Sequence, residues 1–154
     1  MTNDPIRTQA TFKALKDKIE NLTVEKIETR LEEISYYATH TALQDGGLGT
    51  GVDTGAYVTS FSLGAAGFSG GRKRSSRGKP TKQDAAAKKQ EGYSNLLSDI
   101  KGLNIKQMLS LGNIKFTLRN RSPHARKVED GWTRKDGSKL DGYNVFRKIR
   151  SKFR

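Results

Sequence analysis

The chain of 154 residues contains no cysteine, which excludes disulfide bonds and thiolate metal sites. It has only two histidines, His40 and His124. Neither has a nearby pair of carboxylates on a shared face, which a zinc site would need. No apolar run approaches the ~20 residues that a membrane-spanning helix needs, and the N-terminus lacks the apolar stretch of a signal peptide. These absences predict a protein of a reducing, cytosolic setting, with no metal, cofactor or membrane partner.

Acidic residues are scarce outside the N-terminal region, and the net charge of the chain is +13. Residues 1–45 contain six basic and eight acidic side chains and so a balance of −2, which leaves +15 for the remainder. The uneven charge predicts two faces with different partners. The hydrophobic fraction of 33% predicts a modest core within one domain over residues 1–154. An extended basic loop at about 66–83 and a C-terminal extension at about 134–154 complete that domain.

Two apolar stripes at helical spacing mark the N-terminal region. Their members step by three and four: Phe12, Leu15, Ile19 and Leu22, then Ile27, Leu31, Ile34 and Ala38. A five-residue step from Leu22 to Ile27 separates the stripes, and Thr23 can cap a new helix at that step. The sequence therefore predicts a short helix, a break near residues 21–23 and a longer helix to about residue 43.

Helical spacing recurs in the second half of the chain. It predicts a helix at about 84–102, in which Gly92 is a weak point by roughly 1 kcal/mol relative to alanine. It also predicts a short helix at 123–131 and a basic amphipathic helix at 143–154. Residues 103–111 fit either a strand or a helical turn.

Apolar and polar residues alternate at 57–63 and at 114–119, which predicts two strands with one apolar face each. The expected fold is therefore α+β. N-terminal helices pack on a small, mainly antiparallel sheet, and a long basic loop and a C-terminal helix are added to this body.

The glycine-rich stretch that contains Val52, Asp53, Thr54 and Gly55 invites comparison with known chemistry. It lacks the glycine spacing of a dinucleotide-binding loop and the Gly-Lys-Ser/Thr of a P-loop. Asp-Thr-Gly also occurs in aspartic proteases, which need two carboxylates, and only a second copy of this chain could supply the other. We interpret the four residues as a turn that Asp53 or Thr54 caps and Gly55 allows. No catalytic residue is predicted, and we do not expect an enzyme.

Basic residues are dense in the loop at about 66–83. They are Arg72, Lys73, Arg74, Arg77, Lys79 and Lys82. Such charge on a flexible arm suits salt-sensitive binding to phosphate backbones, and it equally suits docking on an acidic face of a neighbouring subunit. No aromatic residue lies among them, so stacking on bases is not indicated.

Two segments resemble one known family. Val52-Asp53-Thr54-Gly55, followed by a short strand, resembles the VDTG hallmark of small tail-completion and neck proteins of tailed bacteriophages. The segment 116–132 resembles the family's strand and the motif NN-x-PYA-x-x-(L/I/V)E-x-G that follows it. The matching positions are Asn120, Pro123, Ala125, Glu129 and Gly131. His124 replaces the usual tyrosine, Arg121 replaces the second asparagine, and the family's later QAP-x-G segment has no counterpart.

The resemblance implies a non-enzymatic virion component that is assembled in the host cytoplasm and located at the head–tail junction. Such proteins form a ring, commonly a hexamer, between the portal–connector stack and the tail tube. The implied partners are copies of itself, neighbouring portal or connector proteins, tail-tube or tail-terminator proteins, and packaged DNA through non-specific contacts. The charge alone favours an alternative, a basic nucleic-acid-binding protein that acts through a flexible Lys/Arg-rich arm.

Overall fold

The computed structural model describes residues 5–42, 54–72, 82–112, 114–123 and 125–154, without the side chains of 5–12, 54, 82–85 and 140. The fold combines helices with short antiparallel strands, as the sequence predicted. The elements are α1 (Pro5–Tyr36), which continues into a π-helical turn (Tyr37–Thr41), α2 (Thr54–Thr59), β1 (Phe61–Ala65), α3 (Lys82–Gly102), α4 (Ile105–Ser110), β2 (Phe116–Asn120), α5 (Ala125–Asp130), β3 (Gly131–Thr133), β4 (Lys139–Asp141) and α6 (Val145–Lys152).

Helix α1 runs without interruption through residues 21–23, so the predicted break there is wrong. Thr23 does not cap a second helix, because its hydroxyl donates to the carbonyl of Ile19 one turn earlier, at 2.8 Å. A threonine in the middle of a helix can bond the carbonyl four residues earlier and so remain within the helix. Neither glycine nor proline occurs between residues 6 and 45. The five-residue step therefore turns the two stripes to different sides of one helix.

The second stripe of α1 faces the core of the protein. Leu31 and Ala38 are buried there, and Val24, Ile27 and Ile34 pack against the same cluster. The first stripe faces solvent, with the side chains of Leu15, Ile19 and Leu22 about half exposed.

The strand that was predicted at 57–63 is wrong in its first half. Residues 54–59 form helix α2, and strand β1 begins at Phe61. All residues from 55 to 64 are buried, so the serines in this stretch do not mark a solvent-facing side. The Thr59 hydroxyl donates to the Gly55 carbonyl at 2.8 Å within the helix. Thr54 and Gly55 thus begin a short helix instead of forming a turn, and Val52 and Asp53 lie outside the described residues.

Strand β1 pairs with β2 in antiparallel register, with Leu63 opposite Leu118 and Phe61 opposite Asn120. The strand predicted at 114–119 is thereby confirmed. Strands β3 and β4 form a second antiparallel pair, with Trp132 opposite Leu140. The sequence did not predict this hairpin, because its strands have three residues each and show no clear alternation.

Helix α3 confirms the predicted helix and contributes Leu96 and Ile100 to the core beside Tyr57 and Phe61. Gly92 is buried where α3 meets α2. A Cβ atom at Gly92 would lie 2.5 Å from the Val58 carbonyl oxygen. The glycine is therefore not a simple weak point of the helix, since it allows the two backbones to approach.

The segment at 103–111 forms helix α4 instead of a strand, and the Asn104 side chain caps it by accepting from the Gln107 amide at 3.1 Å. Helix α6 confirms the predicted C-terminal amphipathic helix. It buries Val145 and Ile149 and exposes Arg147, Arg150 and Lys152, whereas the Lys148 ammonium donates to the Ala42 carbonyl at 3.1 Å.

Candidate functional site

The two segments that carry the family resemblance meet in the fold through Tyr57. The Tyr57 hydroxyl donates to the Glu129 carboxylate at 2.6 Å. The Asn120 side-chain amide donates to the Tyr57 backbone carbonyl at 2.7 Å. Tyr57, two positions after Gly55, is therefore bonded at its side chain by Glu129 and at its backbone by Asn120, and both partners are positions of the second motif. We call Tyr57, Asn120 and Glu129 the motif junction.

Glu129 connects the motif junction to the start of the C-terminal helix. Its carboxylate accepts from the Phe146 amide at 3.3 Å, in the first turn of α6. A carboxylate at this end of a helix satisfies a free amide and interacts favourably with the helix dipole. The Glu129 carbonyl also accepts from the Asn144 amide at 3.2 Å. Backbone and side chain of this residue together fix the entry into α6.

Two glycines, Gly131 and Gly142, allow the backbone to lie close to Glu129 and to turn next to it. A Cβ atom at Gly142 would overlap the Glu129 carbonyl oxygen. Gly131 has a φ of 81°, in the left-handed region that favours glycine, and it lets the chain leave α5 directly into β3. The matched glycine thus has a backbone role next to the matched glutamate.

Asn120 uses both ends of its amide group. While its nitrogen bonds Tyr57, its oxygen accepts from the Ser122 amide at 3.0 Å and shapes the exit from β2. Ala125 begins α5, and its amide donates to the Ser122 carbonyl at 3.1 Å. Pro123 lies exposed between these residues, and His124 lies outside the described residues.

The electrostatics of the motif junction favour a neutral tyrosine. Burial raises the pKa of Tyr57 well above its ordinary value, and the charge of Glu129 and the hydrogen bond to it raise it further. Tyr57 therefore stays a hydrogen-bond donor at physiological pH. The arrangement can hold backbone segments together, and it offers no activated nucleophile.

Arg72 is the first member of the predicted basic loop, and its guanidinium faces inward. It makes a bidentate pair with Asp99 of α3, at 2.7 Å and 2.6 Å. It also donates to the carbonyls of Phe61 and Asn95, at 3.1 Å and 3.2 Å. The hydrogen bonds to Asp99 raise the pKa of Arg72, and partial burial opposes that effect. Arg72 therefore ties the start of the loop to the body of the protein.

Asp99 completes this anchor by accepting from the Leu63 amide of β1 at 3.0 Å. Asp99 was not predicted from the sequence, where the available signal was a lone acid between apolar positions of α3. The other basic residues of the loop are not placed in this way. Lys73, Arg74, Arg77 and Lys79 lie outside the described residues, and only the backbone of Lys82 is described, at the start of α3.

A surface cleft of about 640 Å³ lies between α1, α3 and the end of α6. The Tyr36 and His40 rings stack with centroids 4.4 Å apart, and the Tyr93 ring stands perpendicular to both. The Arg30 guanidinium and the Phe153 ring also line the cleft, and the guanidinium lies 4.7 Å from the centroid of the ring. In the sequence, only the Tyr36-Tyr37 pair signalled an aromatic cluster at this place.

Burial lowers the pKa of His40, and the nearby positive charge of Lys89 lowers it further. Within the described ranges, no three His, Asp or Glu side chains are grouped so that they could hold a metal ion. None of the helices in the described part of the chain is long and apolar enough to cross a membrane.

No protein-family profile, curated protein or solved structure matches this chain. The geometry of the motif junction and of the Arg72–Asp99 anchor is therefore the basis for any statement about function.

Proposed function

We propose that this protein is a structural virion component of a tailed phage. It forms a ring at the head–tail interface, in the neck or tail-completion position, and joins the connector to the tail. The observation that carries the proposal is the motif junction, in which Tyr57 is held by Asn120 and Glu129.

The junction matters because it links two stretches that are far apart in sequence. Asn120 and Glu129 are 63 and 72 positions away from Tyr57. Two accidental likenesses to one family would have no reason to meet in space. Here the asparagine and the glutamate of the second motif both bond Tyr57, two positions after the VDTG motif, which supports a shared scaffold. The stretch departs from the resemblance in one respect, because residues 54–59 are helical and the strand begins only at Phe61.

The exposed charges supply surfaces for assembly. Helix α1 carries exposed acidic side chains near its end, at Glu32 and Glu33. Helix α6 and the residues after it carry exposed basic side chains at Arg147, Arg150, Lys152 and Arg154. Glu32, Glu33 and Lys152 line one cleft, so this surface carries both signs of charge. In a head-to-tail ring it would meet a different, complementary surface of the next subunit. The remaining basic surface would face a connector protein, a tail-tube or tail-terminator protein, or the DNA lumen.

The test is a knockout of the gene in the phage that encodes it, with complementation by variants. We expect separate full heads and complete tails without the protein, and joined particles when the wild type is restored. Cryo-microscopy of the restored particles should show a ring in the neck that fits this fold. Normal particles from the knockout, or a neck without density for this fold, would reject the proposal.

The second candidate function is nucleic-acid binding by the free protein. The supporting observation is a second basic cluster on the β3–β4 hairpin, where Arg134, Lys135 and Lys139 are exposed in addition to the basic side chains of α6. Duplex binding that is tight, sequence-independent and steeply salt-dependent, by a monomer, would favour this candidate. Replacement of Arg147 and Arg150 by alanine should then weaken binding and reduce the salt slope by about two.

A further inference from the structure

The outward stripe of α1, formed by Leu15, Ile19 and Leu22, has no partner among the described residues. These side chains are 53%, 55% and 49% exposed. At about 100° per residue, the mean direction of this stripe is roughly 150° away from that of Val24, Ile27 and Leu31, which face the core. Residues 13–19 are exposed all around the helix, so the described body does not cover it there. One helix thus has two apolar faces, and the body uses only one of them.

The spacing of the outward stripe is that of a coiled-coil seam. Leu15, Ile19 and Leu22 follow one another at intervals of four and three residues, which is the alternation of heptad core positions. Leu15 and Leu22 then take the d position and Ile19 the a position. The next a position is occupied by Lys26.

A groove lies on the same face, directly after the stripe. Its volume is about 450 Å³, and its lining includes Leu22, Glu25, Lys26 and Thr29. In a coiled coil, four residues with this spacing form the hole that receives one side chain of the facing helix. The outward face of α1 therefore presents both a row of knobs and a hole.

We propose that this face binds a second copy of the same chain, with the two α1 helices antiparallel. Leu15 of the second copy enters the groove at Lys26, and Ile19 of each copy faces Leu22 of the other. Because the contact is two-fold, each of these pairings occurs twice.

Charge decides the partner and the orientation. In the antiparallel register, Lys18 of each copy lies beside Glu25 of the other, which gives two attractive pairs. In a parallel register, Lys26 would face Lys26 at the centre of the seam, which is repulsive. The outward and core-facing stripes lie on nearly opposite sides of α1, so the two bodies lie on opposite sides of the helix pair and leave room for it. This two-fold contact is independent of the ring, whose contacts join two different surfaces.

The first test measures self-association of the full chain by sedimentation equilibrium. We expect a monomer–dimer equilibrium that Lys18→Glu or Glu25→Lys weakens roughly tenfold. Each change replaces both attractive Lys18–Glu25 pairs of the dimer by pairs of like charge. The double variant Lys18→Glu/Glu25→Lys should restore dimerisation to within about threefold of the wild type. Ile19→Ser should weaken it tenfold or more, and Asp17→Ser, on the other side of the helix, should leave it unchanged.

The second test uses the absence of cysteine from the natural chain. A mixture of the variants Ile19→Cys and Leu22→Cys should form mixed disulfides in excess over disulfides between identical variants. A parallel pair would give the reverse result. The proposal is overturned by a wild type that stays monomeric at all concentrations, by a double charge variant that does not recover, or by preferential linkage between two copies of the Ile19→Cys variant.

Discussion

The Tyr57 hydroxyl and the Glu129 carboxylate are joined by a 2.6 Å hydrogen bond that connects helix α2 to helix α5. Tyr57 is fully buried, and the carboxylate also accepts from the Phe146 amide at the start of α6. Three elements that are remote in sequence therefore depend on one carboxylate.

Replacement of Tyr57 by phenylalanine should destabilise the protein although the ring is kept. The change removes a hydrogen bond to a charged group and leaves the carboxylate partly unsatisfied, which costs about 1–3 kcal/mol of the free energy of unfolding. Urea denaturation followed by circular dichroism measures this loss. The matched control is Tyr36→Phe, at a half-exposed tyrosine, which we expect to change stability by less than about 0.5 kcal/mol. Equal effects of both variants would contradict the assigned role of Tyr57.

Replacement of Arg72 by lysine should also destabilise the protein, although the positive charge is kept. Lysine cannot reproduce the bidentate geometry with Asp99 or the additional bonds to the Phe61 and Asn95 carbonyls. We expect a loss of about 1–3 kcal/mol in the free energy of unfolding, since these groups are partly buried.

The chain offers a matched control for this ion pair. Arg126 and Asp130 are 3.8 Å apart, and their side chains are 94% and 68% exposed. Arg126→Lys should change stability by no more than a few tenths of a kcal/mol, as is typical of surface pairs. A loss for Arg72→Lys that is no larger than the loss for Arg126→Lys would show that the loop is not anchored at this point.

Gly92→Ala should destabilise the protein, against the order of helix propensities. In an open helix, alanine would gain about 1 kcal/mol over glycine. At Gly92 the new methyl group would press on the Val58 backbone and Cγ1 atom, and overpacking of this kind costs about 1–3 kcal/mol. The control is Gly102→Ala at the end of the same helix, where a Cβ atom meets nothing within 4 Å. A melting temperature of Gly92→Ala that equals or exceeds the wild type would contradict the close contact between α2 and α3.

The sequence predicted the elements that have one solvent-facing side. Helices α3 and α6 expose a polar face, so their apolar residues show the helical period. Strand β2 is half-buried along its whole length, and its apolar residues alternate with polar ones. The same logic failed where both sides are buried. Around Tyr57 and Ser60, buried polar residues alternate with apolar ones, and this period-two pattern placed the start of the strand at Tyr57, whereas it begins at Phe61.

Propensity also failed at Thr23 and Gly92, because each depends on a contact that the local sequence does not show. Thr23 bonds the carbonyl one turn earlier, and Gly92 meets a backbone carbonyl of α2. The motif junction was predictable in its members Asn120 and Glu129, which stand at matched positions. Tyr57 and Asp99 were missed as partners, since a contact across 72 or 27 positions has no local signature.

Stability should fall as the pH is lowered from about 7 to 5, and His40 should account for part of that fall. Burial and the charge of Lys89 lower the pKa of His40 in the folded state. The unfolded chain, with an ordinary pKa of about 6.5, therefore binds more protons between its own pKa and the lowered one. Stability that is present above pH 6.5 is lost as the pH falls through this window.

In His40→Gln the dependence of the unfolding free energy on pH should be flatter than in the wild type. In Lys89→Gln it should be intermediate, because the effect of the Lys89 charge is removed and the effect of burial remains. His124 and the carboxylates are common to all three proteins, so their titrations cancel in the comparison. Urea denaturation at several pH values measures the slopes, and parallel curves for the wild type and His40→Gln would show that the folded state does not shift this histidine.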